Sequence, residues 1–151
     1  LGAMAVDHAL QGYRDTHRSA MMRRASEAFR TITRGEYSGL AAQPEAEREV
    51  LVAIGAEGGS KLARDLSKGT RFQLYLALRV AGYHEIAGAR TTVPFIADDI
   101  METFDNTRTA AALGLLREIS MLGQALYFTH HEHVVELAKN VCGDSVMIHE
   151  I

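Results

Sequence analysis

Three short stretches carry residue types that can do chemistry together. In Val93-Pro94-Phe95-Ile96-Ala97-Asp98-Asp99-Ile100, an apolar run ends in two adjacent aspartates. Paired carboxylates at the end of a strand can hold Mg²⁺ and handle a proton, and ligands gather at the carboxyl ends of strands in parallel α/β sheets. The same pair is also ordinary in a polar, helix-capping loop. Asp65-Leu66-Ser67-Lys68-Gly69-Thr70-Arg71 opens a long apolar segment. Ser67 is a good N-cap there, and the free amides that follow make either a plain helix start or an anion site. Gln124-Ala125-Leu126-Tyr127-Phe128-Thr129 leads into His130-His131-Glu132-His133. If the two apolar runs are neighbouring strands, Asp98, Asp99 and His130 share one edge of a sheet. One carboxylate would then hold a metal, the second would position or deprotonate water, and the histidine would meet a terminal phosphate.

The elements that must position these residues follow from pattern. Pro94 lacks an N–H and fits the start of a strand. From Phe72 to Ala81 the segment after Ser67 has almost no polar face, which predicts a buried helix. His84 to Thr92 reads as a small-residue loop. Asp105 or Asn106 caps a helix running to about Leu122, with Ala112, Leu115, Leu116, Ile119 and Leu122 as its buried stripe and Gly123 ending it. The histidine cluster is followed by a helix of about nine residues ending near Gly143, and Ser145 to His149 reads as a last strand. This alternation of helix and strand predicts an α/β fold with a mostly parallel sheet.

Upstream, Ala5 to Thr33 reads as one long amphipathic helix. Val6, Leu10, Tyr13 and His17 start it with the spacing of a coiled-coil seam. Its arginines, Arg14, Arg18, Arg23, Arg24 and Arg30, fit a solvated face better than a nucleic-acid contact. Gly35 ends the helix. Tyr37 to Ala42 and Glu49 to Gly55 read as a β-hairpin turning at Pro44-Glu45-Ala46-Glu47. Leu1-Gly2-Ala3-Met4 is set aside from fold reasoning as an expression remnant.

Composition narrows the class. A 151-residue chain, half of it apolar, holds one globular domain with a real core. Its net charge of −3 gives no whole-chain nucleic-acid signature, although a local basic patch remains open. One cysteine, Cys142, excludes an internal disulfide and fits a reducing compartment. No apolar run approaches a membrane span. These features predict a soluble, cytoplasmic protein.

Two motifs fail when tested. Gly55 is followed five residues later by Ser60-Lys61, but the second glycine of a P-loop is missing and Leu62 stands where the Mg²⁺-binding hydroxyl belongs. Gly55 to Lys61 therefore reads as an ordinary turn, and no other stretch matches a P-loop. A zinc site built from His130, His131, Glu132 and His133 is the lesser reading of that cluster. H-E-x-x-H needs histidines four apart on one helix face, whereas His131 and His133 are two apart.

Leu66-Ser67-Lys68-Gly69-Thr70-Arg71-Phe72-Gln73-Leu74-Tyr75-Leu76-Ala77-Leu78-Arg79 resembles the signature motif and helix of ABC-type ATPase heads, in the version of SMC-like, YhaN-type bacterial ATPases. These are relatives of the RecF, RecN and SMC proteins of DNA repair and chromosome maintenance. Pro94 to Asp99 resembles their Walker B strand, Phe104-Asp105 falls at the D-loop, and Tyr127 to His131 resembles the switch-histidine segment. The motifs stand in family order across roughly residues 35–151.

The resemblance implies an ATPase lobe working with ATP and Mg²⁺. Asp98 would hold Mg²⁺ through water, and Asp99 would stand in place of the usual catalytic glutamate. His130 would be the switch histidine. Ser67, Lys68 and Gly69 would bind the γ-phosphate of ATP held by an opposite subunit, with Lys68 departing from the usual glycine. Asp105 would belong to the dimer contact. Residues 1–35 would be the returning end of a coiled coil and 36–151 the C-terminal ATPase lobe. The missing partner would be an N-terminal Walker A lobe. The resemblance further implies a homodimer closing on the ATP sites, DNA as a partner by family alone, and apolar surface around the helix from Thr70 where the N-terminal lobe packs. Two other classes stay open: a non-catalytic interaction module with the same fold, and a metal-dependent hydrolase using the histidine cluster.

Overall fold

Residues 2–89 and 93–151 are described by the computed structural model of the chain. The first element, α1, runs from Gly2 to Ile32 and takes in three of the four residues set aside as a remnant; Leu1 lies outside the described residues. The helix has two regimes. Residues 4–19 are exposed all round, so the seam of Val6, Leu10 and Tyr13 faces solvent. From Met21 onward the helix turns a face inward, and Ala25, Ala28, Phe29 and Ile32 are buried. It ends as the glycine predicted: Gly35 has φ +79° and its N–H reaches back to the Arg30 carbonyl at 2.9 Å.

The hairpin is β1 (Tyr37–Glu45) and β2 (Arg48–Gly55), paired antiparallel. Its turn is tighter than predicted: Pro44 and Glu45 lie in β1, and Ala46, at φ +54°, carries the reversal with Glu47. The segment read as an ordinary turn divides in two. Gly58 and Gly59 make a left-handed turn, but Ser60–Leu62 then forms β3, antiparallel to β2. A three-residue polar strand has no sequence signal of its own and is defined by pairing to Val52–Ile54.

Helix α2 spans Lys68–Ala89. The predicted loop from His84 is thus helical as far as Ala89, and its last part, residues 90–92, lies outside the described residues. Packing on α1 carries the helix onward. Glu85 pairs with Arg24 at 3.4 Å, and the half-buried His84 has its pKa lowered by burial and by the nearby Arg24 guanidinium. The apolar segment is not buried on every side: Leu74, Leu76, Ala77 and Val80 face the core while Phe72 and Tyr75 are exposed.

Next come β4 (Phe95–Asp98), α3 (Asn106–Ser120), β5 (Ala125–Phe128) and α4 (Glu132–Cys142). Strands β4 and β5 are parallel, as predicted, in the register Phe95↔Ala125 to Asp98↔Phe128. The hairpin does not join them. Among the described residues there are two sheets, β1-β2-β3 antiparallel and β4-β5 parallel. Helix α3 stops at Ser120, which leaves Leu122 exposed outside the predicted stripe. The predicted last strand is also corrected. Gly143–Ser145 is a 3-10 turn and the residues after it are irregular, with Met147 and Ile148 exposed and no strand beside them among the described residues.

One polar contact welds α1 to the hairpin. Ser26 Oγ accepts the Leu40 N–H at 2.9 Å and donates to the Leu40 carbonyl at 3.2 Å. Gly39 permits the approach, because a Cβ there would lie 3.2 Å from Ser26 Cβ. Ser26→Ala leaves both Leu40 groups unpaired in a partly buried seam. The expected loss is about 1–2 kcal/mol, read as a fall of roughly 3–6 °C in thermal unfolding.

Candidate functional site

The parallel register sets the site. Asp98 lies opposite Phe128, so the residues one step beyond, Asp99 and Thr129, emerge side by side at the ends of β4 and β5. The Asp99 N–H donates to the Phe128 carbonyl at 2.9 Å and closes the ladder. Asp99 then turns the chain at φ +46°, a left-handed conformation that Asp and Asn adopt more readily than other side chains.

The half-buried Asp99 carboxylate is held from several directions. Thr129 Oγ1 donates to Oδ1 at 2.9 Å and also accepts the His131 N–H at 3.1 Å. His130 Nδ1 stands 2.9 Å from Oδ2, and His131 Nε2 stands 3.4 Å from the same oxygen. The His130 ring is largely exposed, whereas the His131 ring and the Asp99 side chain are mostly covered. Asp98 points to the other, exposed face of β4 and makes no ion pair among the described residues.

Beneath the carboxylates, Tyr127 accepts the Met101 N–H on its hydroxyl at 3.3 Å. Burial pushes its phenol up to about 12, against that hydrogen bond, and the negative charges of Asp99 and Asp98 push in the same direction as burial. Arg79 of α2 donates to the Ile96 carbonyl at 2.8 Å, with its guanidinium 4.7 Å from the centre of the Phe95 ring. This ties α2 to the strand that carries the aspartates.

The other predicted residues are placed elsewhere. Ser67 caps α2, its Oγ accepting the Thr70 N–H at 3.2 Å and lying 2.8 Å from Thr70 Oγ1. Lys68 is exposed, with its ammonium 5.9 Å from the centre of the Phe72 ring. From Ser67 to Arg79 the helix rises about 18 Å, and among the described residues no hydrogen bond or ion pair joins Ser67, Lys68 or Gly69 to Asp98, Asp99 or His130. Asp105 caps α3: its Oδ1 accepts the Arg108 N–H at 2.9 Å, and its other oxygen meets the Arg108 guanidinium. These hydrogen bonds from the Arg108 backbone and side chain hold its carboxyl below the usual carboxylate range. Arg108 also reaches Glu36 at 3.1 Å, linking the cap to the start of the hairpin.

Comparison with known proteins shows what the chain is similar to. The chain is 32% identical over 145 residues to the uncharacterized protein YhaN of Bacillus subtilis, a match covering 95% of the chain and 14% of YhaN. Its fold matches an Smc head domain of Pyrococcus furiosus, solved with an extended coiled coil and bound to the C-terminal domain of ScpA. There the TM-score is 0.59 at 20% identity, over 80% of this chain and 30% of that one. A structure from work on ATP-driven dimerization and DNA-stimulated activation of SMC ATPases matches with a TM-score of 0.63 at 20% identity, over 85% of this chain and 77% of that one. The SMC head domain of Thermotoga maritima matches at 0.51 with 22% identity, over 77% and 41% of the two chains. No protein-family model matches the chain. The chain has the fold of the C-terminal lobe of an SMC head domain.

The chain spans about a seventh of the length of YhaN. Within it, Asp99 and His130 come together as the sequence predicted, with Asp98 beside them on the opposite face of β4. The four residues of the lesser zinc reading do not converge as a set: among the described residues the His133 ring centre lies 5.5 Å from that of His131, and the ligand atoms that converge are those of Asp99, His130 and His131. The contacts of Thr129, His131, Tyr127 and Arg79 are visible only in three dimensions. For Thr129 and His131 the usable signal was register, since any residue just past the end of β5 must meet its counterpart past the end of β4. Among the described residues, no helix is long and apolar enough to cross a membrane.

Two outcomes follow for the chain. Thr129→Val keeps the shape and removes both hydroxyl bonds, so it is expected to cost about 1–3 kcal/mol in urea unfolding, while Thr129→Ser retains most of that stability. The Tyr127 pKa is raised on folding, so its contribution to stability is complete below the unfolded value near 10 and is lost as pH climbs toward 12. Ultraviolet titration of the folded chain is expected to show a late phenolate component that Tyr127→Phe removes.

Proposed function

We propose that the chain is one half of a composite ATPase: the lobe of an SMC-like head that supplies Walker B, signature and switch elements to a Walker A lobe it does not itself contain. The observation that carries the reading is the Asp99 carboxylate, fixed by Thr129 and faced by His130 at the ends of two parallel strands. In this reading Asp99 takes the proton of, or positions, the water that attacks the γ-phosphate, and Thr129 aims the free lone pairs of the carboxylate. His130 meets the phosphoryl oxygens. The exposed Asp98 has the oxygen chemistry that Mg²⁺ requires, and would hold it through water. The bound metal would neutralise charge on the phosphates.

Ser67 and Gly69, with Lys68 between them, sit at the start of a 22-residue helix whose N-terminal amides suit an anion. They stand apart from the carboxylates of their own chain. They therefore serve a nucleotide held by a second copy, and the Asp105 loop lies at that contact. The ATP-driven dimerization named for an SMC structure of this fold supports the same arrangement. Residues 1–35 are assigned as the end of a coiled coil and 36–151 as the ATPase lobe. Work on DNA, in repair or chromosome maintenance, is the cellular role that goes with this architecture.

Mg-ATP hydrolysis by the chain alone is expected to be absent or very slow. Mixing it with a Walker A lobe is expected to restore turnover, and Asp99→Asn, which suits the left-handed backbone, is expected to lower that turnover by at least 100-fold. Turnover by the chain alone at the rate of an intact head, or a mixture as active with Asn at position 99, would sink the proposal. A mixture that stays inert while the lobes bind each other would make this a non-catalytic interaction module.

A further inference from the structure

The ends of β4 and β5 bring together a donor set that hydrolysis does not use in full. Asp99, His130 and His131 each offer a ligand atom, and the three atoms lie within 4.8 Å of one another. Two of the separations are 2.9 and 3.4 Å. Ligand atoms each about 2.0–2.1 Å from a tetrahedral zinc lie about 3.4 Å apart, so these two separations are close to those that one ion requires. A second observation concerns His131. Its Nε2 is shut off from solvent and has no hydrogen-bond partner, although a carboxylate oxygen stands 3.4 Å away. A buried ring nitrogen left unpaired needs an explanation, and a metal supplies one.

We propose that Asp99, His130 and His131 form a site for a divalent transition metal of the zinc class. Two imidazoles and a carboxylate suit zinc, cobalt or nickel and not Mg²⁺, which takes oxygen ligands. Three protein ligands leave a fourth position open, and the exposure of His130 puts that position toward solvent. The ligands come from the turn after β4 and the turn after β5, both anchored by the strand register, with Thr129 bonded to Asp99 and to the His131 amide. Such second contacts hold metal ligands in place. His133 stands outside the set. Metal binding does not depend on the ATPase reading; one consequence does. On that reading the ion occupies Asp99 and His130 together, withdraws them from water and phosphate, and inhibits turnover.

The test titrates the 151-residue chain with Zn²⁺ against a chromophoric chelator and with Co²⁺ for the visible bands of a tetrahedral site. One ion per chain is expected, weakened at least tenfold by Asp99→Asn, His130→Gln or His131→Gln and unchanged by His133→Gln, with circular dichroism confirming that each variant is folded. No binding, or binding that survives Asp99→Asn and falls instead with His133→Gln, overturns the site. Zn²⁺ inhibition of the reconstituted head is then expected in the parent chain and relieved in His131→Gln. Inhibition that is equal in both overturns the regulatory consequence. Zinc binding with the expected variant pattern in a head that never hydrolyses ATP would remove the ATPase reading and leave the metal site standing.

Discussion

A four-residue parallel ladder is the constraint on which the functional end of this molecule depends. Phe95–Asp98 pairs with Ala125–Phe128 in one register, and every contact at the site follows from it. Side chains alternate along a strand, so a slip of one residue would turn Phe95 and Ala97 out of the core and bring Ile96 in. The same slip would move Thr129 away from Asp99. Burial of Phe95 and Ala97, with Tyr83 edge-on to the Phe95 ring at 5.6 Å, therefore holds the register that aims the carboxylate. Packing and chemistry are the same choice here.

The opposite face of that ladder is uncovered. Ile96 and Phe128 share it and are about half exposed, and Phe72 and Tyr75 on α2 are exposed as well. A small parallel sheet is normally covered on both faces. Here the inner face rests on the core that α1, α2 and α3 build together, while the outer face and the seam of Val6, Leu10 and Tyr13 both present apolar surface to solvent. Surfaces of that kind mark places where other protein packs.

Much of the architecture was legible in the chain. The long first helix, its stop at Gly35, the hairpin, the helix after Asp105 and the parallel pair all follow from periodicity and from glycine, proline and capping residues. The errors share one cause. Helix α2 continues through His84 because α1 lies against it, although the local residues look like a loop. Strand β3 exists because β2 offers an edge. The tail from Val146 has the composition of a strand and forms none, since no edge is beside it among the described residues. Each turns on a neighbour that a local pattern does not contain.

The site divides along the same line. The sequence by itself determined which groups exist: two carboxylates after an apolar run, histidines after another, and a serine-capped helix, because these depend on residue type and short-range spacing. Only the tertiary structure decided which of them meet. It gave Thr129 and His131 to Asp99, kept His133 out, turned Asp98 to the other face and left Ser67 apart from all of them. The physical reason is that strand pairing is a long-range bond. Asp99 and Thr129 are thirty residues apart in the chain and 2.9 Å apart in space, and only the register joins the two.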